Sequence, residues 1–247
     1  MATLQEHYDS HLAPHYAWIC GGADAACARS AALFRELGLA PSGPGATALD
    51  LGAGSGFQSL PLAAAGFTVT AVDLSAALLA ELARDAATAG LPVRTALGDL
   101  RDFAPFTPTP APEVIVCMGD TLTHLPSIDD VSAVLRAAVA ALAPGGHLLL
   151  GYRDYSTPRT GAERFIPVRS EPDRIFTCFL DYGPTHIAVH DIVHTRDGDA
   201  WRTAISVYDK LRLAPATVRS VLRSEGVALI RETAQNGSIT VVARRPV

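Results

Sequence analysis

The stretch ALDLGAGSG, residues 48–56, joins a short apolar run to three closely spaced glycines. The run predicts a buried β-strand, and the glycines predict a tight turn into a helix. Glycines at 52, 54 and 56 let a ligand approach the backbone closely and leave the N–H groups at the helix start free. The dinucleotide fingerprint needs a glycine where Phe57 stands, so the pattern disfavours NAD as the ligand.

A carboxylate follows this turn at the spacing expected of a ribose ligand. Asp73 ends the next predicted strand, 17 residues after Gly56. A carboxylate in that place can accept hydrogen bonds from both hydroxyls of a ribose. The glycine turn and Asp73 together predict an adenosine-type cofactor.

Apolar, β-rich runs alternate with helical patterns from Thr47 to Tyr152, which is typical of βαβ units and a parallel sheet. We therefore expect an α/β fold with a Rossmann-like sheet. The predicted strands are Thr47–Leu51, Thr68–Asp73, Val93–Leu97, Glu113–Met118 and His147–Tyr152, and the predicted helices are Ser75–Ala89 and Ile128–Leu142.

The pattern changes to period two after Tyr152. We interpret residues 1–247 as a single domain, with an N-terminal helical lid segment at 1–40 and an antiparallel β insertion at 153–212 that covers the active site. The insertion has three predicted strands, and a helix and two strands follow it: Arg174–Asp181, His186–Arg196, Ala200–Arg212, then Ala216–Ser224, Val227–Thr233 and Ser238–Ala243.

Charge and hydropathy argue against several classes of function. The 247 residues carry 20 basic and 25 acidic side chains, a net charge of −5, so no basic field favours nucleic acid. No apolar run reaches the roughly 18 residues of a membrane span, and residues 1–10 lack the pattern of a secretory signal. We expect a cytoplasmic enzyme with a small-molecule substrate, and a homo-oligomer stays open.

No metal site is predicted. The four cysteines show no zinc-binding spacing. His186, His190 and His194 fall on one strand face, but neighbours stand about 13 Å apart at the rise of a β-strand. Zinc needs nitrogens at ~2.0–2.1 Å, so the three cannot share one ion.

Four segments together resemble class I S-adenosylmethionine-dependent methyltransferases: LDLGAGSG at 49–56, VDLS at 72–75, GDL at 98–100 and PGG at 144–146. The resemblance implies a seven-stranded sheet ending in an antiparallel hairpin, with S-adenosyl-L-methionine as cofactor and S-adenosyl-L-homocysteine as product. It implies that the first segment meets the methionine moiety, the second the ribose and the third the adenine. The cofactor-binding residues implied in this way are Asp50, Gly52, Ala53, Gly54, Asp73, Leu74, Asp99, Leu100 and Met118.

Further segments are similar to the glycine N-methyltransferase branch. They are VIVCMGDTLTHLP at 114–126, RDY at 153–155 and an aromatic segment that ends in Gly-Gly at 21–22. In that branch the N-terminal segment folds over the cofactor, and the other two face cofactor or substrate. The resemblance implies Tyr16 and Trp18 as further cofactor contacts, and Asp120, His124, Arg153 and Tyr155 as catalytic residues.

Methyl transfer to nitrogen of an amine or N-heterocycle is the favoured reaction, because a carboxylate at Asp120 can accept a hydrogen bond from an N–H and orient the nitrogen lone pair. One alternative is an O-methyltransferase that uses His124 as base. Another is a non-catalytic domain that binds S-adenosylmethionine. Val168 and Ile192 stand where the resembling branch has tyrosines around glycine, so glycine itself is not predicted as the substrate.

Overall fold

The structure, a computed structural model, describes residues 4–247 and contains two β-sheets. The strands in chain order are β1 Thr47–Leu51, β2 Thr68–Asp73, β3 Val93–Leu97, β4 Val114–Cys117, β5 His147–Arg153, β6 Phe165–Glu171, β7 Arg174–Tyr182, β8 His186–Asp197, β9 Ala200–Leu211, β10 Ala228–Gln235 and β11 Ser238–Arg244.

The N-terminal region is helical, and further helices alternate with the strands of the larger sheet. The α-helices are α1 Leu4–Glu6, α2 Tyr16–Ile19, α3 Ala23–Glu36, α4 Ser59–Ala64, α5 Ala76–Thr88, α6 Ile128–Ala141 and α7 Pro215–Ser224. A π-helical turn spans His7–Leu12, and 3-10 turns span Ala13–His15, Leu100–Asp102, Ala104–Phe106, Thr121–His124 and Gly161–Arg164.

The larger sheet has seven strands in the order β10-β11-β5-β4-β1-β2-β3. The five strands from β1 to β5 run parallel, and β11 pairs antiparallel with both β5 and β10. This confirms the predicted Rossmann-like sheet with its terminal antiparallel hairpin. The order of the strands reverses between β1 and β4, and in open α/β sheets ligands bind in the crevice at such a point.

Alternate residues of the central strands supply two hydrophobic layers, one on each face. Leu49 and Leu51 of β1 pack with α6 and α7, whereas Ala48 of the same strand packs with Phe34 of α3 and Leu62 of α4. Helices on both faces bury every residue of the central strands β1 and β4, as the interior of a parallel sheet requires. The carboxyl ends of β1, β2 and β4 are therefore held rigidly at one edge.

Serine caps set the starts of the two helices that were predicted beside the sheet. Ser75 Oγ accepts the Leu78 N–H at 3.2 Å, and Ser127 Oγ accepts the Asp130 N–H at 3.1 Å. A side-chain oxygen at this position pairs a helix N–H that otherwise has no partner. The helices α5 and α6 begin directly after these serines. The start of α5 is therefore one residue later than predicted, and the start of α6 is as predicted.

The second sheet has four antiparallel strands, β6-β7-β8-β9, and not the three that were predicted. The additional strand β6 lies at the sheet edge and contains Pro167, and its pairing with β7 shifts register between Pro167 and Arg169. Proline cannot donate a backbone hydrogen bond, so it is confined to edge strands and irregular positions. All seven side chains of β6 are exposed or half-buried, which removes the alternating pattern that identified the other three strands.

The N-terminal segment, residues 4–19, packs against this second sheet. His7 is 1% exposed, with Nδ1 2.8 Å from Ser206 Oγ of β9 and Nε2 3.3 Å from Asp191 Oδ2 of β8. Asp9 accepts a hydrogen bond from the Ser75 hydroxyl at the start of α5. The segment therefore bridges the two sheets; residues 1–3 of the predicted lid lie outside the described part of the chain.

Within residues 4–247, no helix is both long enough and apolar enough to cross a membrane.

Candidate functional site

A cavity of about 280 Å³ lies at the carboxyl ends of β1 and β2, below the N-terminal segment. Leu4 and Tyr8 of that segment form one wall, and Leu78 of α5 forms another. Asp73 and Asp99 add carboxylates at the ends of β2 and β3. A cavity with apolar walls and a few polar groups is the usual form of a small-ligand site.

The glycine turn after β1 lets this cavity come close to the backbone. Gly52 has φ 77°, and a Cβ on it would collide with the side chain of Thr121. Gly54 has φ 53°, and a Cβ on it would lie 3.4 Å from the ring of Tyr16. Both positions favour glycine for its left-handed conformation, and at Gly52 a side chain would also lack room.

Asp73 is held in a fixed orientation at the cavity wall. Its Oδ2 accepts the Gly54 N–H at 2.8 Å, and its Oδ1 accepts the Ser75 N–H at 2.8 Å. Burial raises the pKa of the Asp73 carboxyl, and these two backbone N–H groups, together with that of Leu74, act in the opposite direction. A carboxylate has about four acceptor positions, so two remain for a pair of ligand hydroxyls.

A second cavity of about 270 Å³ lies on the far side of Tyr8, Tyr16 and Gly119, which line both cavities. Its remaining walls come from the end of β5 and from the inner face of the second sheet. Residues of that face include Cys178, Asp191 and Lys210. The first and second cavities are thus neighbours with a common wall.

Asp120 lines the second cavity and receives three donors. Its Oδ1 accepts the backbone N–H of Arg153 at 2.8 Å. Its Oδ2 accepts the Tyr155 hydroxyl at 3.0 Å and also pairs with the ammonium of Lys210. Asp120 itself has φ 76°, a left-handed conformation that Asp and Asn adopt more readily than other non-glycine residues.

The comparisons with known proteins agree on one fold. A family model for a methyltransferase domain matches residues 48–146. The chain is similar to the CcbJ methyltransferase from Streptomyces caelestis, with 24% identity, a TM-score of 0.73 and 89% of each chain covered. Residues 48–146 thus match a methyltransferase domain, and the chain has the fold of class I methyltransferases.

Two further solved structures share this fold. The sugar N-methyltransferase KedS8 from a Streptoalloteichus species has 18% identity and a TM-score of 0.68, over 91% of this chain and 88% of that one. The magnesium protoporphyrin IX methyltransferase from Synechocystis has 17% identity and a TM-score of 0.60, over 98% and 95%. No curated protein matches the sequence.

S-adenosylmethionine is the cofactor of this methyltransferase family, and the first cavity fits it. Asp73 retains two acceptor positions for ribose hydroxyls, as described above. Leu74 and Leu100 give apolar surface for an adenine ring, and Asp99 lies beside them. The turn at Gly52 and Gly54 gives the rest of the molecule close access to the backbone.

Asp99 is fixed by its own loop. Its side chain accepts the backbone N–H of Arg101 at 2.8 Å, and its Oδ2 lies 2.6 Å from the Arg101 guanidinium. The hydrogen bonds from Arg101 hold the pKa of the Asp99 carboxyl below its usual range. Asp99 is therefore ionised at neutral pH.

Three of the residues predicted to bind the cofactor lie behind the cavity wall. Asp50 is fully buried and accepts the Ser59 hydroxyl at 2.7 Å, and burial raises its pKa to about 7. Ala53 packs in a core cluster with Leu82. Met118 packs below Gly151 of β5. These three side chains shape the turn and the strand ends and do not line the cavity.

The two predicted aromatic contacts of the N-terminal segment differ in place. Tyr16 lines both cavities and stacks on Phe57, with ring centroids 5.5 Å apart. Trp18 lines neither cavity, and its ring faces the guanidinium groups of Arg174 at 4.5 Å and Arg169 at 5.6 Å. Trp18 thus connects the segment to the second sheet.

His124 lines the first cavity and not the second. Its Nε2 lies 2.9 Å from the Tyr8 hydroxyl. Burial, together with the charges of Lys210 and His7, lowers the pKa of His124 well below its usual value. The imidazole is therefore neutral at physiological pH and is held by the N-terminal segment.

Arg153 and Tyr155 both line the second cavity. Tyr155 is 8% exposed, and burial raises the pKa of its hydroxyl well above the usual value, so it remains a donor to Asp120. The side chain of Arg153 is exposed at the mouth, and only its backbone N–H contacts Asp120. The structure thus brings three of the four predicted catalytic residues together around one carboxylate group.

Sequence reasoning missed Tyr8, Asp191 and Lys210. A signal existed for Asp191, because the period-two pattern of β8 puts it on the same face as the apolar Val189 and Val193. A charged residue on such a face is rarely buried without a partner. Lys210 had no such signal, because it shares its face of β9 with Arg202 and Ser206. Tyr8 had no comparable signal, since its partner His124 is 116 residues away in sequence.

Proposed function

We propose that this methyltransferase transfers a methyl group from S-adenosylmethionine to a nitrogen atom of a small-molecule acceptor bound in the second cavity. When bound, the cofactor would supply a methyl group on a positively charged sulfur. The acceptor nitrogen would form a bond to the methyl carbon in line with the carbon–sulfur bond, which breaks and leaves S-adenosylhomocysteine. The observation that carries the proposal is the wall common to the two cavities at Tyr8, Tyr16 and Gly119.

The protein's part in such a displacement is to position the acceptor and exclude water. Tyr8, Tyr16, Tyr155 and Tyr208 surround the second cavity with rings that fix the shape of an acceptor. The N-terminal segment covers both cavities and keeps bulk water from the space between them. No covalent intermediate with the protein is required.

Asp120 is the group that favours nitrogen as the acceptor atom. Three donors surround its carboxylate, and one of its two oxygens, Oδ1, accepts only the Arg153 N–H. An ionised carboxylate accepts hydrogen bonds and does not donate them. An acceptor N–H bound to Asp120 therefore has its lone pair directed away from the carboxylate and towards the common wall.

The similarity to a sugar N-methyltransferase agrees with this proposal, and the similarity to a porphyrin methyltransferase shows that the fold also serves other acceptors. The acceptor atom is therefore identified by measuring which nucleophiles the protein methylates. The test is release of S-adenosylhomocysteine by the purified protein over a panel of amines, N-heterocycles, amino acids and phenols. We expect turnover with nitrogen nucleophiles; turnover with phenols alone would contradict the proposal.

The matched variant is Asp120→Asn, because Asn tolerates the left-handed backbone that Ala at this position would strain. We expect the turnover number to fall on the order of a hundredfold, since an amide misplaces the acceptor. The affinity for S-adenosylhomocysteine, measured by calorimetry, should stay within about twofold because Asp120 does not line the first cavity. Unchanged turnover would rule out the role of Asp120.

A further inference from the structure

We infer that Lys210 is a positioning residue of the acceptor site: it occupies Oδ2 of Asp120 and leaves Oδ1 as the atom that receives the acceptor N–H. The inference rests on the proposed function for the role of Asp120. Lys210 is not among the site residues that the family resemblance implied.

Lys210 is the only lysine in a chain with 20 basic residues, and it is 7% exposed. It lies on β9, and its ammonium pairs with Asp120 Oδ2 across 90 residues of sequence. A lysine is almost never buried without a partner, because the charge loses its hydration. Asp120 is 8% exposed, so the pair is buried from both sides.

The described residues around Lys210 give its ammonium one ion pair, with Asp120. The rings of Tyr155 and Tyr208 lie 5.9 Å and 5.7 Å from the ammonium. Asp191, the nearest other carboxylate on the inner face of the second sheet, is occupied by the Cys178 thiol at 3.0 Å and by His7 at 3.3 Å. Asp120 is therefore the one carboxylate among residues 4–247 with which Lys210 forms an ion pair.

The two oxygens of Asp120 differ in how many donors they accept from. Oδ2 accepts from Lys210 and from Tyr155, which fills both of its acceptor positions. Among residues 4–247, Oδ1 accepts only the Arg153 N–H, so one of its acceptor positions remains, and Asp120 lines the second cavity. An acceptor amine thus meets one fixed atom instead of a rotating carboxylate.

Kinetics separate this role from a merely structural one. Lys210→Met leaves Asp120 without its cation, and we expect the turnover number to fall on the order of ten- to a hundredfold, with the affinity for S-adenosylhomocysteine within about twofold of the native value. Lys210→Arg keeps the charge and should recover most of the loss. The control is Arg202→Met, which removes an exposed cation from the same strand and should leave turnover unchanged. A folded Lys210→Met variant with native turnover would overturn the inference.

Spectroscopy tests the pair without any acceptor. Because the chain has a single lysine, labelling with ¹⁵N-lysine gives one side-chain ammonium signal. A buried, ion-paired ammonium exchanges its protons slowly, so we expect the signal in the native protein and expect it to be lost in Asp120→Asn. Its absence from the native protein, or its persistence in the variant, would overturn the inference even if Lys210→Met did not fold.

The two arms also separate the inference from the proposed function. If no nitrogen acceptor is turned over, the proposed function fails, whereas the ammonium signal still decides whether Lys210 holds Asp120. If an amine is turned over, that amine is added to the labelled protein. Its binding beside Asp120 should move the ammonium signal, and an unmoved signal would contradict the assignment of Oδ1.

Discussion

Asp73 meets the first cavity with a carboxylate that the Gly54 and Ser75 N–H groups already orient. Two ribose hydroxyls can therefore bind without any rearrangement of the side chain. The same constraint makes the residue sensitive to substitution, since an amide at this position must direct an NH₂ group at a backbone N–H or at the ligand.

We predict that Asp73→Asn weakens binding of S-adenosylhomocysteine on the order of ten- to a hundredfold, the loss expected for one hydrogen bond to a charged group. Isothermal titration calorimetry measures the affinity directly. Asp102→Asn, a nearby exposed carboxylate outside the cavity lining, is the control and should bind as the native protein does. Equal affinities for the two variants would exclude Asp73 as a ribose ligand.

Single residues also mark the limit of what the sequence could predict. The spacing of the glycine turn and Asp73 is local, and both lie at the cavity where they were predicted. Lys210 lies 90 residues from Asp120 in sequence, and only the pairing of β8 with β9 brings it there. The pairing of Lys210 with Asp120 depends on the packing of the second sheet on the first. No local sequence pattern indicates this packing.

Residues of the N-terminal segment line both cavities, and we expect the closure of the cavities to depend on this segment. Its attachment is polar and buried, because His7 contacts Asp191 and Ser206 and stacks on Tyr208 with ring centroids 4.0 Å apart. Removing the His7 side chain leaves Oδ2 of the buried Asp191 without this contact, which favours the detached segment.

We predict that His7→Ala weakens S-adenosylhomocysteine binding on the order of tenfold, because apparent affinity falls with the fraction of molecules in the closed state. Chymotrypsin should also cleave at the aromatic residues of 4–19 faster than in the native protein. Ser10→Ala is the control, since Ser10 is exposed in the same segment and lines neither cavity. Native affinity together with native proteolysis in His7→Ala would show that this contact does not hold the segment.

Elements with a strong hydrophobic period were predicted closely, and the edge strand was not. The bounds of β1, β2 and β3 agree with the sequence expectation, because these strands are short apolar runs bounded by turn residues. Strand β6 has Pro167 at its centre and no buried side chains, so neither propensity nor period marked it. Its existence depends on pairing with β7, which is a tertiary effect.

At the scale of the whole molecule, Asp50 links folding to pH. Burial raises its pKa to about 7, so the folded protein retains a proton that the unfolded chain, with an ordinary Asp, releases near pH 4. The unfolded state therefore binds fewer protons between about pH 4 and pH 7, and the free energy of unfolding decreases as pH rises through this range. Above pH 7 this contribution is constant.

We predict that Asp50→Asn removes this decrease, which amounts to roughly 4 kcal/mol for a shift of about three pKa units. Denaturant unfolding at pH 4.5 and pH 8 measures it. The difference between variant and native protein is the useful quantity, because the lowered pKa of His124 acts with the opposite sign below pH 6.5 in both proteins. A difference that does not change with pH would contradict the assignment of a buried proton to Asp50.

Tyr8 and Tyr16 belong to the walls of both cavities, and this has a consequence for the kinetic order. The segment that carries them cannot withdraw from the cofactor without also uncovering the acceptor. If the acceptor binds in the second cavity as proposed, we expect exchange of the spent cofactor to release or expose the methylated product in the same opening event. We expect sequential rather than ping-pong kinetics, with the rate of segment opening as an upper bound on turnover.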